Sequence, residues 1–122
     1  MRANPVGWFE IYVQDMKRAK TFYEIVLGTT LTKLESGVEM CAFPSDRDTA
    51  GASGALVHMP GFPSGGNSTL VYFTTEDCAV EGARALSAGG RIMKEKFSIG
   101  DYGFIVLAFD TEGNMFGLHS LK

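Results

Sequence analysis

The sequence predicts an α+β fold made of two successive β-α-β-β-β modules. Three observations carry that prediction. First, the chain repeats its punctuation at a shift of 62 positions: Asp15 falls on Asp77, Gly28 on Gly90, Asp48 on Asp110 and Gly51 on Gly113. Second, each half holds one apolar stretch at three- and four-residue spacing, opened by an aspartate and closed by glycine. Third, runs rich in aromatic and β-branched residues surround each of these stretches.

In order along the chain, Trp8 to Val13 reads as the first strand. Asp15 then caps a helix whose apolar face is Met16, Ala19, Phe22, Tyr23, Val26 and Leu27, with Gly28 as the left-handed stop. Strands follow over Thr29 to Leu34, Glu39 to Phe43 and Ala55 to Met59, with a polar loop from Pro44 to Ser53. The second half gives a strand over Thr69 to Thr75, then a helix capped by Asp77 with Val80, Ala83 and Leu86 as its apolar-periodic positions and Gly89-Gly90 as the stop. Strands over Arg91 to Phe97, Phe104 to Phe109 and Met115 to Leu121 complete it. Between the halves, Met59 to Ser68 is a Pro-, Gly- and Ser-rich linker. The chain reads as a single domain over 1–122: module one about 5–60, linker about 60–67, module two about 68–121. Neither half has the surface to bury a core alone, so the modules must pack together or exchange between chains.

Composition bounds the function. The 122 residues are 45% hydrophobic and 20% charged, which is globular rather than disordered. Eleven Lys and Arg against 14 Asp and Glu give −3, which argues against a general nucleic-acid binder. No apolar run reaches the ~20 residues that cross a bilayer, and the first residues carry no signal-peptide core. Cys41 and Cys78 are far apart and outside any Cys-x-x-Cys pair, so they read as buried or free thiols of a cytoplasmic protein. Lys17, Arg18 and Lys20 read as a solvated helix face, and Lys94-Glu95-Lys96 as a protected edge strand.

The run Ile11 to Ala19, the Phe22-Tyr23 and Leu27-Gly28 pairs, Glu76-Asp77, Gly89-Gly90 and the late turn Asp110-Thr111-Glu112-Gly113-Asn114 together resemble the vicinal-oxygen-chelate superfamily. That superfamily holds glyoxalase I, bleomycin-resistance proteins, fosfomycin-resistance enzymes and extradiol dioxygenases. The resemblance spans nearly the whole chain. It implies a cupped mixed β-sheet with the helices outside, and commonly a homodimer. In metal-dependent members each module supplies one ligand from its first strand and one from its last, usually His or Glu. Carried over, these positions are Trp8, Leu70, Ala55 and Gly117, and none is a ligand type. The expectation is therefore no bound metal, although a divalent ion held by other residues stays open.

Strand alternation from those positions brings Glu10, Tyr12, Tyr72 and His119 to the same face as Trp8. Glu10 reads either as a general base or cation-holding carboxylate, or as a structural acid paired with a tyrosine or His119. His119 reads as an acid–base partner or as a satisfied structural residue. Trp8 and Tyr72 would wall a planar ligand or simply pack. Glu39 faces either the cup or an exposed edge, and His58 points away from the cup. Two function classes follow. One is a metal-free module that binds a planar or partly cationic small molecule through Trp8, Tyr12, Tyr72 and Glu10. The other is a glyoxalase-type lyase or isomerase acting on a small carbonyl compound, with Glu10 and His119 as catalytic residues or a metal held elsewhere. Neither reading involves nucleic acid or a membrane.

Overall fold

The computed structural model describes residues 3–122. β1 (Phe9–Tyr12) leads to α1 (Met16–Leu27), then β2 (Thr32–Lys33), β3 (Glu39–Ala42) and β4 (Gly54–His58). The second round is β5 (Tyr72–Thr74), α2 (Cys78–Ser87), β6 (Arg91–Ser98), a short 3-10 turn at Gly100–Tyr102, β7 (Phe104–Phe109) and β8 (Met115–Ser120). The tandem α+β architecture is the one expected. Its eight strands divide into two mixed four-stranded sheets, ordered β1-β4-β3-β2 and β5-β8-β7-β6. In both, the first strand of the module runs parallel to the last. The repeat holds in the register as well: Glu10 lies opposite Ala55, and the same shift puts Tyr72 opposite Gly117.

Each helix starts where its aspartate can accept a backbone N–H. Asp15 takes the N–H of Arg18 at 3.1 Å, and Asp77 that of Ala79 at 3.0 Å. Gly28 ends α1 at φ 63°, a left-handed conformation that favours glycine. Of the strands that are shorter than the sequence predicts, β2 and β5 lose the most. The backbone N–H of Leu31 is taken by the Glu24 side chain at 2.8 Å, which leaves β2 only two residues. Ahead of β5, the Asn67 side chain accepts from Met115 N at 3.0 Å and donates to Met115 O at 2.8 Å. A side chain thus fills the ladder position a longer β5 would have used.

One core joins the modules. Phe9 and Phe43 of the first sheet meet Phe73 of the second at ring-centroid distances of 6.1 and 5.6 Å. Tyr23 of α1 touches Phe43, Phe73 and Phe116. Both helices pack on the faces of the sheets that carry this cluster. Cys41 and Cys78 are buried and unpaired, and burial pushes the Cys41 thiol up, away from the thiolate a nucleophile needs. Glu39 stands opposite His58 at the end of β3, where the two side chains pair at 3.1 Å.

The β7–β8 turn ties the modules together. The Glu112 carboxylate is fully enclosed and receives the backbone N–H of Gln14 and Asp15, each at 2.9 Å. It also receives the Arg18 guanidinium at 2.6 and 3.0 Å and the Thr111 hydroxyl at 3.0 Å. Arg18 is therefore an inter-module ion pair rather than part of a solvated cationic face. Asp110, likewise buried, accepts from the Tyr23 hydroxyl at 2.6 Å and from the backbone N–H of Glu112 and Asn114, each at 2.8 Å. Asn114 donates to Tyr12 O at 2.9 Å and accepts from Gly65 N at 2.6 Å. The counterpart loop in module one has no such role: there Asp46 closes the turn onto Asp48 and Thr49, and it is exposed.

Burial alone would push the Glu112 carboxyl up, but Arg18, the two N–H groups and Thr111 overcome it and hold it at about 2, against an ordinary 4.5. A carboxyl depressed on folding stabilises the fold above its unfolded value and loses that contribution as pH falls toward 2. The contribution is about 2–3 kcal/mol, allowing for the half-exposed guanidinium. Replacing Glu112→Gln should lower the unfolding free energy by that amount at pH 7. The mutant's stability should also fall less than wild type between pH 4.5 and 2, as measured by urea titration at each pH. Removing the Tyr23 hydroxyl (Tyr23→Phe) should cost about 1–2 kcal/mol in the same assay, because Asp110 keeps its backbone donors.

Candidate functional site

Alternation along β1 sends Phe9 and Ile11 to the core and leaves Trp8, Glu10 and Tyr12 on the opposite face. There Glu10 is the centre of a three-residue arrangement. One carboxylate oxygen accepts the Trp8 indole N–H at 3.2 Å, and the other accepts the Tyr12 hydroxyl at 2.9 Å. That hydrogen bond, with partial burial and the Glu10 charge behind it, raises the Tyr12 hydroxyl above its ordinary value of 10. The Tyr12 ring stacks on Phe62 of the linker at 5.1 Å. Trp8 is 45% exposed. Glu10 makes no ion pair among the described residues, and neither do Glu35, Glu95 and Asp101. The sequence reading allowed Glu10 a tyrosine or His119 as partner; the partners observed are Tyr12 and Trp8.

The second sheet presents Tyr72 and His119 on its face away from the core. The ring of Tyr72 lies over Gly117, in the space where a side chain at 117 would begin. The His119 Nε2 is 2.6 Å from the Tyr102 carbonyl, to which it donates in the Nε2-protonated tautomer. Neither a hydrogen bond nor an aromatic contact joins Tyr72 or His119 to Trp8, Glu10 or Tyr12 among the described residues. The five candidates thus form two groups, one on each sheet. Of the positions that would hold a metal by resemblance, Ala55 sits beside Glu10 and Gly117 beneath Tyr72. No group of three or more His, Cys, Asp or Glu side chains suited to an ion occurs among the described residues.

A cavity of about 470 Å³ runs along β1 beneath the linker. Glu10 and Tyr12 line it, together with Phe9, Tyr23, Phe116 and the linker from Gly65 to Thr69. Tyr23 and Phe116 lie beneath it, at most 1% exposed, so the apolar surface it offers comes from Phe9, Val71 and Met115, and Glu10 stands at its exposed side. Sequence reasoning missed this cavity and the part Asn67 plays in it. The visible signal was an asparagine inside a Gly- and Ser-rich linker, which reads as a turn unless the partner strand is known.

The model of the glyoxalase/bleomycin resistance protein/dioxygenase superfamily matches residues 6–118. Over 112 residues the chain is 29% identical to CFP32, named as a proposed glyoxylase, of Mycobacterium tuberculosis and Mycobacterium bovis. That alignment covers 91% of this chain and 42% of CFP32, so the chain spans less than half the length of these relatives. Among solved structures, a glyoxalase/bleomycin resistance protein from Albidiferax ferrireducens superposes with a TM-score of 0.74 at 20% identity, covering 93% of this chain and 96% of that one. TnmS3, an antibiotic binding protein from Streptomyces sp. CB03234, superposes with a TM-score of 0.70 at 24% identity, covering 98% of both chains. A variant of glyoxalase I from Zea mays gives 0.73 at 20% identity, covering 96% of this chain and 46% of that one. Its matched span, two modules and shared core place this chain in the glyoxalase/bleomycin resistance protein/dioxygenase superfamily.

Proposed function

We propose that the protein binds a small organic molecule at the Glu10 face and does so without a divalent metal. The observation that carries this reading is the Glu10 carboxylate itself. It is oriented by two aromatic hydrogen-bond donors, bordered by a ligand-sized cavity and without a counter-ion among the described residues. The residues at the four superfamily ligand positions do not fit an ion: indole, methyl and isobutyl groups and a bare glycine offer it no lone pair. The antibiotic-binding TnmS3 shares the scaffold, which supports binding as a role the scaffold can serve. Acid–base turnover by Glu10 and His119 lacks comparable support, since His119 is engaged with a backbone carbonyl.

The proposal includes a homodimer in which a second copy brings its Tyr72–His119 face to the Trp8–Glu10 face. Charge favours that pairing. The first face carries the unpaired Glu10, while Arg91 and Lys94 lie over the Phe109 and Phe97 rings on the face shared with His119. Trp8 and Tyr72, both close to half exposed, are the large aromatics such contact would cover.

Two measurements test these statements. Ligands found by quenching of the single tryptophan, Trp8, should bind at least tenfold more weakly to Glu10→Gln, with circular dichroism unchanged and EDTA without effect. Chelator-sensitive activity that survives Glu10→Gln would overturn the metal-free reading. Light scattering across a hundredfold concentration range should show a dimer; a monomer throughout removes the second copy from the site.

A further inference from the structure

The cavity beside Glu10 has a chemical bias that names its ligand class. Among the described residues, Glu10 is the one charged side chain lining it. The other polar groups around it are already spent. Asn67 is used by Met115 and Thr69, Asn114 by Gly65, Tyr12 O and Asp110, and the Tyr23 hydroxyl by Asp110. The side chains left to meet a guest are the free lone pairs of Glu10 and the hydroxyls of Ser68 and Thr69. An anion entering here would find a carboxylate and no cation. A divalent ion would find one carboxylate, too few donors for a tight site.

A single positive charge fits where those two do not. Both Glu10 oxygens already hold one donor each, which fixes the carboxylate plane without neutralising it. An ammonium group has hydrogens to give to the lone pairs that Trp8 and Tyr12 leave free on Glu10. Beside Glu10 the apolar lining that reaches the cavity surface is Phe9, Pro63, Val71 and Met115, which suits an apolar body. The volume of about 470 Å³ lies within the range of small-molecule sites.

Building on the binding function proposed above, we infer that the ligand is a monocationic amine with an aryl or branched alkyl body, its ammonium on Glu10 and its body in the cavity. The probes are phenethylammonium, the isosteric alcohol 2-phenylethanol and the anion 3-phenylpropanoate, measured by Trp8 quenching and by calorimetry. Phenethylammonium should bind about tenfold or more tightly than the alcohol, with the anion weakest. Glu10→Gln should bring the amine and the alcohol within about threefold of each other. Methylammonium, which lacks the body, should bind at least tenfold more weakly than phenethylammonium. Thr69→Trp, at the exposed rim, should weaken phenethylammonium while leaving thermal unfolding unchanged. Equal or tighter binding of the alcohol or the anion overturns the amine assignment and leaves the binding function standing. Silence of all three probes also overturns the assignment, and a panel of neutral planar compounds then decides the binding function separately.

Discussion

The turn from Asp110 to Asn114 is the constraint on which the rest of the molecule depends. Two βαβββ modules, each with a thin four-stranded sheet, do not fix their own relative placement. Hydrophobic contact between phenyl rings is non-directional and would tolerate several arrangements. The turn removes that freedom. Glu112 reaches the start of α1, Asp110 reaches Tyr23 in its middle, and Asn114 reaches the end of β1. Ser64 donates to Glu112 O at 2.7 Å, so the linker is tied to the same point. Burying two carboxylates is costly, and each is matched by several donors in fixed positions. The two respond differently to enclosure. Burial raises the Asp110 carboxyl despite its hydrogen bonds, whereas the Arg18 pairing and the backbone donors bring Glu112 well down.

Much of this was legible in the sequence because the relevant signals are local. Asp15 and Asp77 announce their helices, Gly28 ends the first, and the β-branched and aromatic runs mark the strands. The alternation that puts Glu10 with Trp8 and Tyr12 needs only the pleat of one strand. What could not be read depends on residues far apart in the chain. Arg18 looks like one of three exposed cations until Glu112, 94 positions away, is placed beside it. Asn67 looks like a linker residue until Met115 is seen to lie against it. The separation of Tyr72 and His119 from the Glu10 group is also a matter of how two sheets meet, which no single strand encodes.

The repeat shows how one scaffold comes to carry two different surfaces. Glu10 and Tyr72 occupy equivalent places, each opposite the residue that would hold the last-strand ligand of its module. In the first module that residue is Ala55 and its neighbour is an acid. In the second it is Gly117, and the neighbour is an aromatic ring that fills the vacated space. Duplicated modules supply the same backbone positions twice, and side chains at those positions need not agree. The turn that locks the modules is similarly one-sided, since Asp110 is buried in a network while its counterpart loop is exposed.

The cavity follows from the same asymmetry. Where a longer β5 would pair with the start of β8, Asn67 supplies one side-chain amide that satisfies both backbone groups of Met115. The chain on either side of Asn67 is then free of the ladder, and Gly65 and Gly66, at φ 82° and 62°, let it turn toward Asn114. The linker therefore bridges between β8 and β1 instead of extending the sheet, and β1 keeps its outer edge unpaired along the cavity. An open edge is normally a liability, because unpaired backbone groups invite other strands. Here the linker shelters it, and Glu10 adds a charge beside it that discourages a neighbouring apolar strand. The carboxylate that blunts the edge is also, among the described residues, the one charge on the cavity lining, so the sheltering of the edge and the electrostatics of the cavity rest on the same side chain.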